Sequence, residues 1–246
     1  LILTALVALS LPRAEQVRTG SAFRGAARLL RNRELMLFLG AALVVSIGFN
    51  AVTWFYSIRL VALGGSPGSA GLVWAVGALI EAPLMYAFPR LAARFGSERL
   101  ILVGSFLFAL RALLAAFASE PWMLVAISPV EGIAYALFFI GGVDRVAHRA
   151  PAGYAATAQG LYSASSGIAA IIGSAVGGRL ADATSIPVLY AASGFLGLVG
   201  LLALGLAFRE RAGRTAPDAD GAPGSGTDGA GGQLDEADPL APPIPG

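Results

Sequence analysis

Six long apolar stretches separated by short polar connectors set the pattern of this 246-residue chain. They cover residues 35–63, 70–88, 100–117, 122–143, 155–180 and 187–208. About 20 apolar residues carry a helix across a bilayer core of roughly 30 Å, and each stretch is about that long or longer. None alternates in polarity with the period of two expected of a membrane barrel strand. In lipid every backbone N–H and C=O needs an internal partner, which a helix supplies within one segment. The pattern predicts an all-α integral membrane fold with six transmembrane helices. A shorter apolar run, "LILTALVALSLP" at residues 1–12, precedes them. It lacks the positively charged start of a signal peptide, so it reads as the end of a truncated earlier helix.

Composition agrees with the pattern. The chain is 56% hydrophobic and 13% charged, with a mean hydropathy of +0.72. A soluble domain carries about 25% charged residues. Cysteine is absent, which excludes disulfides and thiolate chemistry. The net charge of +2 says less than where the charges sit. Residues 13–34, "RAEQVRTGSAFRGAARLLRNRE", form a basic loop with six arginines. Arg90, Arg94 and Arg99 follow the second stretch, Arg145 and Arg149 the fourth, and Arg209, Arg211 and Arg214 the sixth. The alternate connectors, "GGSPGS", "ASEP" and "DATSI", contain no basic residue. Fourteen of the seventeen arginines thus lie on one side, which the positive-inside rule makes cytoplasmic. The expected setting is a multi-pass protein of the plasma or inner membrane, its partner a lipid bilayer and not nucleic acid. Residues 209–246 are rich in Gly, Pro and Asp and read as a disordered cytoplasmic tail.

Ionisable residues inside the 35–208 unit are where chemistry is expected. Glu81 falls about 16 Å into the second stretch, near the bilayer midplane at 1.5 Å per residue. Arg111 in the third and Glu131 in the fourth fall at similar depth, and Asn50 lies near the middle of the first. Three charges at helix centres cost on the order of 8–10 kcal/mol on insertion scales, so a compensating role is expected. Simple gluing of helices by an Arg–Glu pair is the plainer alternative, but polar contacts in membranes average under about 1 kcal/mol. Two carboxylates face one guanidinium, so one carboxylate is left over. An unpaired acid in low dielectric is favoured in its neutral form, and such a group can carry a proton. Helical spacing places Trp74 and Ala78 on the face of Glu81, and Tyr135 and Phe138 on that of Glu131. Rings beside buried charges suit an organic solute with a flat surface, and equally suit plain packing. In the fifth stretch Gln159, Ser163 and Ser166 are candidates to line a path, and the Gly173–Gly177 spacing permits close helix contact. No catalytic constellation, metal-ligand set or phosphate loop is visible, so neither an enzyme nor a cofactor is expected.

"PRLAARFGSERLILVG" resembles the basic turn between the eighth and ninth helices of the major facilitator superfamily. "YAATAQGLYSASSG" followed by "GSAVGGRLAD" resembles its eleventh helix, and "LGGSPGSAGLVWAVGALIEAP" is similar to the branch around the lactose and phenylpropionate-type permeases. The resemblance covers nearly all of residues 1–208. It implies that the six stretches are helices seven to twelve of a twelve-helix fold whose N-terminal half is missing. It implies a cytoplasmic gate turn of Arg90, Arg94, Gly96 and Arg99, with Ala93 where the superfamily motif has aspartate. Arg111 falls where proton–sugar symporters of that branch keep a coupling arginine. Glu131 falls at their tenth-helix histidine, Ala134 at their proton-exchanging glutamate, and Ala78 at their sugar-binding acid, with Glu81 one turn away. These departures point away from sugar and leave the proton site to Glu81 or Glu131. The function implied is a permease moving a small organic solute, with protons, by alternating access. A drug or metabolite exporter of the same superfamily and a non-transporting receptor or scaffold are the alternatives.

Overall fold

A computed structural model describes residues 29–151 and 153–214. The chain forms α1 (Arg33–Ala62), α2 (Pro67–Phe95), α3 (Ser97–Ala116), α4 (Pro121–Tyr135), a π-helical turn (Ala136–Ile140), α5 (Gly141–Arg149), α6 (Ala155–Ala183) and α7 (Ile186–Arg214). α4, the π turn and α5 run on as a single span, so six long apolar helices result. The fold is all-α, as the hydrophobic pattern predicts. The expected truncated helix at 1–12, most of the 13–34 loop and the tail beyond 214 lie outside the described residues.

Local chemistry explains where the helices start and stop. Asn32 caps α1, its side chain accepting from the Leu35 N–H at 3.2 Å. Ser66 caps α2 in the same way, with Pro67 in the first turn where its missing N–H costs nothing. α2 runs seven residues past the 70–88 stretch, through Pro89, Arg90 and Arg94. The reason is packing: Leu91 and Ala92 continue the stripe that rests on Phe88, Leu100 and Leu137. The basic connector is therefore mostly helix. The chain reverses at Gly96 alone, whose φ of +83° is a left-handed value that favours glycine.

The core divides into two main clusters. One holds Phe38, Val45, Ile101, Phe108, Phe138, Tyr162 and Phe208. The other holds Tyr56, Leu60, Val73, Ala112, Leu124, Leu189 and Tyr190. α1 packs mainly on α7 and α6, α3 on α7, and α2 on α4. Small residues allow the closest approaches. A side chain at Gly173 would run into the α1 backbone, 3.1 Å from the Ala51 nitrogen, so the predicted small-residue contact is present. α2 and α6 are the least covered, with 17% and 22% of their membrane windows buried against 56% for α1.

Candidate functional site

Arg111 projects from α3 into the bundle and is 2% exposed. Its Nη2 donates to Glu131 Oε2 of α4 at 2.7 Å, and the carboxylate is nearly as buried. The guanidinium lies 4.2 Å above the ring of Tyr56. Tyr56 in turn donates its hydroxyl to the Leu124 carbonyl at 2.8 Å, which fastens α1 to α4 around the pair. Tyr190 of α7 stacks on Tyr56 at 6.4 Å. One strong hydrogen bond and one cation–π contact thus occupy Arg111, while its Nε finds no partner among the described residues. Desolvating two charges is costly, and the short hydrogen bond and the Tyr56 ring offset part of that cost.

Glu81 is placed differently. It is half-buried on α2 and makes no ion pair or hydrogen bond among the described residues. Glu131 and Tyr135 nevertheless lie within its electrostatic reach. The reason is a tight crossing of α2 and α4. Gly132, next to Glu131, meets α2 so closely that a Cβ there would collide with the Gly77 carbonyl and lie 3.2 Å from the Glu81 nitrogen. The sequence alone grouped Glu81, Arg111 and Glu131 by depth. The structure brings them into one neighbourhood and assigns Arg111 to Glu131.

Asn50 joins another group. It lines a cavity of about 130 Å³ with Ser46 and Phe49 of α1, Phe108 of α3, Tyr135 of α4 and Ser166 of α6, closed by Phe138 and Phe139 of the π turn. Each of these positions is near the middle of its span. Phe49 and Phe108 are 4.4 Å apart between ring centres, and Tyr135 and Phe139 stack at 5.1 Å and 10°. Trp74 and Gln159 do not line this cavity. Trp74 is 42% exposed and its indole N–H reaches Ser57 Oγ at 3.4 Å, while Gln159 is half-buried on α6, two turns before Ser166.

At the arginine-rich end, Arg90 and Arg94 are exposed helix residues, each set over a neighbouring ring of its own helix, Tyr86 and Phe95. Arg99 is exposed in the first turn of α3. None of the three forms an ion pair among the described residues. The buried cation here is Arg145. It pairs with Glu98 of α3 and, at 3.3 Å, with Glu34 of α1, and its guanidinium lies 4.3 Å from the Phe208 ring centre. Ser97 donates to Asp144 at 2.6 Å beside it. A recess of about 590 Å³ opens between Gly96, Arg99, Asp144 and His148. It is larger than the aromatic cavity but lies at the rim of the bundle, away from the mid-membrane charges.

Comparison with known proteins decides the family. Residues 4–192 match the MFS_1 like family. The chain belongs to that family of major facilitator proteins. It is 32% identical over 216 residues to the maltose permease of Geobacillus stearothermophilus, covering 86% of this chain and 54% of that protein. It is 23% identical over 201 residues to the uncharacterized transporter YwbF of Bacillus subtilis (strain 168), covering 81% and 50%. The crystal structure of the nucleoside transporter NupG (D323A mutant) superposes with a TM-score of 0.69 at 19% identity over 84% of this chain and 58% of that one, a likeness of fold. The chain thus spans about half the length of the curated relatives it matches. It is a multi-pass membrane protein, and these relatives are named as transporters and not as enzymes.

Several residues of this family member are visible only in the fold. Tyr56 sits one turn and a half beyond Asn50 and looks in sequence like any other apolar-run tyrosine. Phe49, Phe108 and Phe139 likewise carry no signal that separates a cavity wall from a packed core. Glu98, Asp144 and Arg145 had a signal: acids stand beside arginines at the ends of two spans. Reading the arginines for orientation alone passes over that pairing.

Proposed function

We propose that this chain is the C-terminal half of a twelve-helix major facilitator permease that moves a small organic solute by alternating access, coupled to protons. The observation that carries the reading is the charge arrangement at mid-membrane. Arg111 is committed to Glu131 and to the face of Tyr56, and Glu81 stands close by without a counter-ion among the described residues. Two carboxylates and one guanidinium leave one excess negative charge. A proton on Glu81 cancels it, and rocking of the two halves changes the side from which Glu81 is reached. Ionisable groups kept inside a membrane at this cost mark ion and substrate pathways, and solute sites of such transporters lie near the midplane between repeated halves.

The partly uncovered α2 and α6 suit the docking of the other half of the transporter, which supplies the remaining wall of the path. The arginine-rich end faces the cytoplasm of a cell-membrane protein, with the C-terminal tail on that side. There Arg90, Arg94 and Arg99, which form no ion pair among the described residues, are placed to meet acidic groups of the other half, while Arg145 ties α5 to Glu98 of α3 and Glu34 of α1. Proton coupling is tested by solute addition to proteoliposomes of the intact transporter, without any imposed gradient. Inward solute movement should alkalise a weakly buffered medium. Solute entry with no pH change contradicts coupling to protons.

A further inference from the structure

The aromatic cavity is not used by the charge cluster, and its lining is selective. We infer that it is a subsite for one neutral aromatic ring of the solute, carbocyclic or heterocyclic, bearing an uncharged polar substituent. This rests on the reading of the chain as half of a solute transporter.

Size limits the occupant first. The cavity holds about 130 Å³, and a cavity of roughly 150 Å³ takes one benzene. A single ring fits and a two-ring solute must extend beyond it. The walls specify an aromatic face. Phe108 and Phe138 make a buried floor, set edge-to-face at 5.5 Å. Phe49, Tyr135 and Phe139 are half-buried around the rim and reachable.

Charge and hydrogen bonding narrow the class further. The lining includes no Asp, Glu, Arg, Lys or His, so a charged group entering it loses water without meeting a counter-ion. The polar groups are few: Ser46, Asn50, Ser166 and the Tyr135 hydroxyl. Asn50 spends one N–H on the Ser46 carbonyl at 2.8 Å and keeps the other N–H and its Oδ1. Ser166 donates to the Tyr162 carbonyl at 3.2 Å and keeps its acceptor lone pairs. A pyranose carries hydroxyls around its whole edge, and the Phe108–Phe138 floor would leave some of them unpaired at a cost. A flat ring with one polar substituent meets both surfaces.

The test is equilibrium binding to the intact transporter in nanodiscs with three probes: benzamide, the similarly shaped anion benzoate, and methyl β-glucopyranoside. Benzamide should bind saturably, and the other two about tenfold or more weaker. Phe139→Leu and Asn50→Leu should each weaken benzamide by about 2- to 12-fold, the range of one ring contact or one hydrogen bond. Phe139→Tyr keeps the ring and should bind normally, which separates lost contact from failed folding. Absence of saturable benzamide binding, equal binding of benzoate or the glucoside, or indifference to Phe139→Leu overturns the subsite. Proton-driven accumulation of a solute without benzamide binding overturns the subsite and leaves the transporter standing. Benzamide binding in a protein that moves no solute contradicts the transporter reading on which the subsite rests.

Discussion

Arg111 touches one carboxylate, Glu131, while Glu81 makes no ion pair among the described residues, and that inequality governs how each residue should respond to substitution. Arg111→Ala leaves Glu131 buried and unpaired, which costs about 3–5 kcal/mol in a buried site. Thermal unfolding of the detergent-purified protein should show a large loss for Arg111→Ala. Adding Glu131→Gln should restore most of it, because the neutral amide needs no counter-ion. A double variant as unstable as the single one would mean that Arg111 is held by something other than Glu131. The depth of Arg111, Glu131 and Glu81 was legible from residue spacing alone. Which acid takes the arginine was not, because both lie about equally deep and the choice depends on helix rotation.

That rotation is set between elements. α2 and α4 approach through Gly77 and Gly132, and the contact puts the Glu81 backbone beside Glu131. Gly132→Ala places a methyl group where the Gly77 carbonyl now stands, so the helices must separate. Overpacking of this type costs about 1–3 kcal/mol. The variant should unfold at a lower temperature than the wild type, and transport should fall more than stability because Glu81 moves from the pair. Normal transport by Gly132→Ala would show that the crossing does not position the charges. The hydrophobic pattern located all six helices, but it ended the second too early. Pro89 and three nearby arginines look like a loop in sequence, while the packing of Leu91 and Ala92 that extends α2 to Phe95 involves residues far along the chain. The pairing of Arg145 is hidden in sequence for the same reason: its partners Glu98 and Glu34 lie on α3 and α1.

At the scale of the whole molecule, Leu79 and Tyr86 on α2 and Ile171 and Val176 on α6 remain exposed, as faces awaiting another half would be. The 246-residue chain alone should insert with its arginine-rich end cytoplasmic, checked by labelling cysteines introduced at Ser97 and Ser185 from either side. It should catalyse no solute flux when reconstituted by itself, because the proposal assigns the other wall of the path to a second half; flux through the isolated chain would contradict the half-transporter account. The most direct measurement of the central claim uses Glu81→Gln in the intact transporter, where the amide mimics the protonated acid in size and lack of charge. The account predicts that this variant no longer concentrates solute under an imposed pH gradient but still exchanges it down its own gradient, while Glu131→Gln chiefly weakens solute binding. Concentration of solute by Glu81→Gln against its gradient, at the wild-type level, would contradict the assignment of the proton to Glu81.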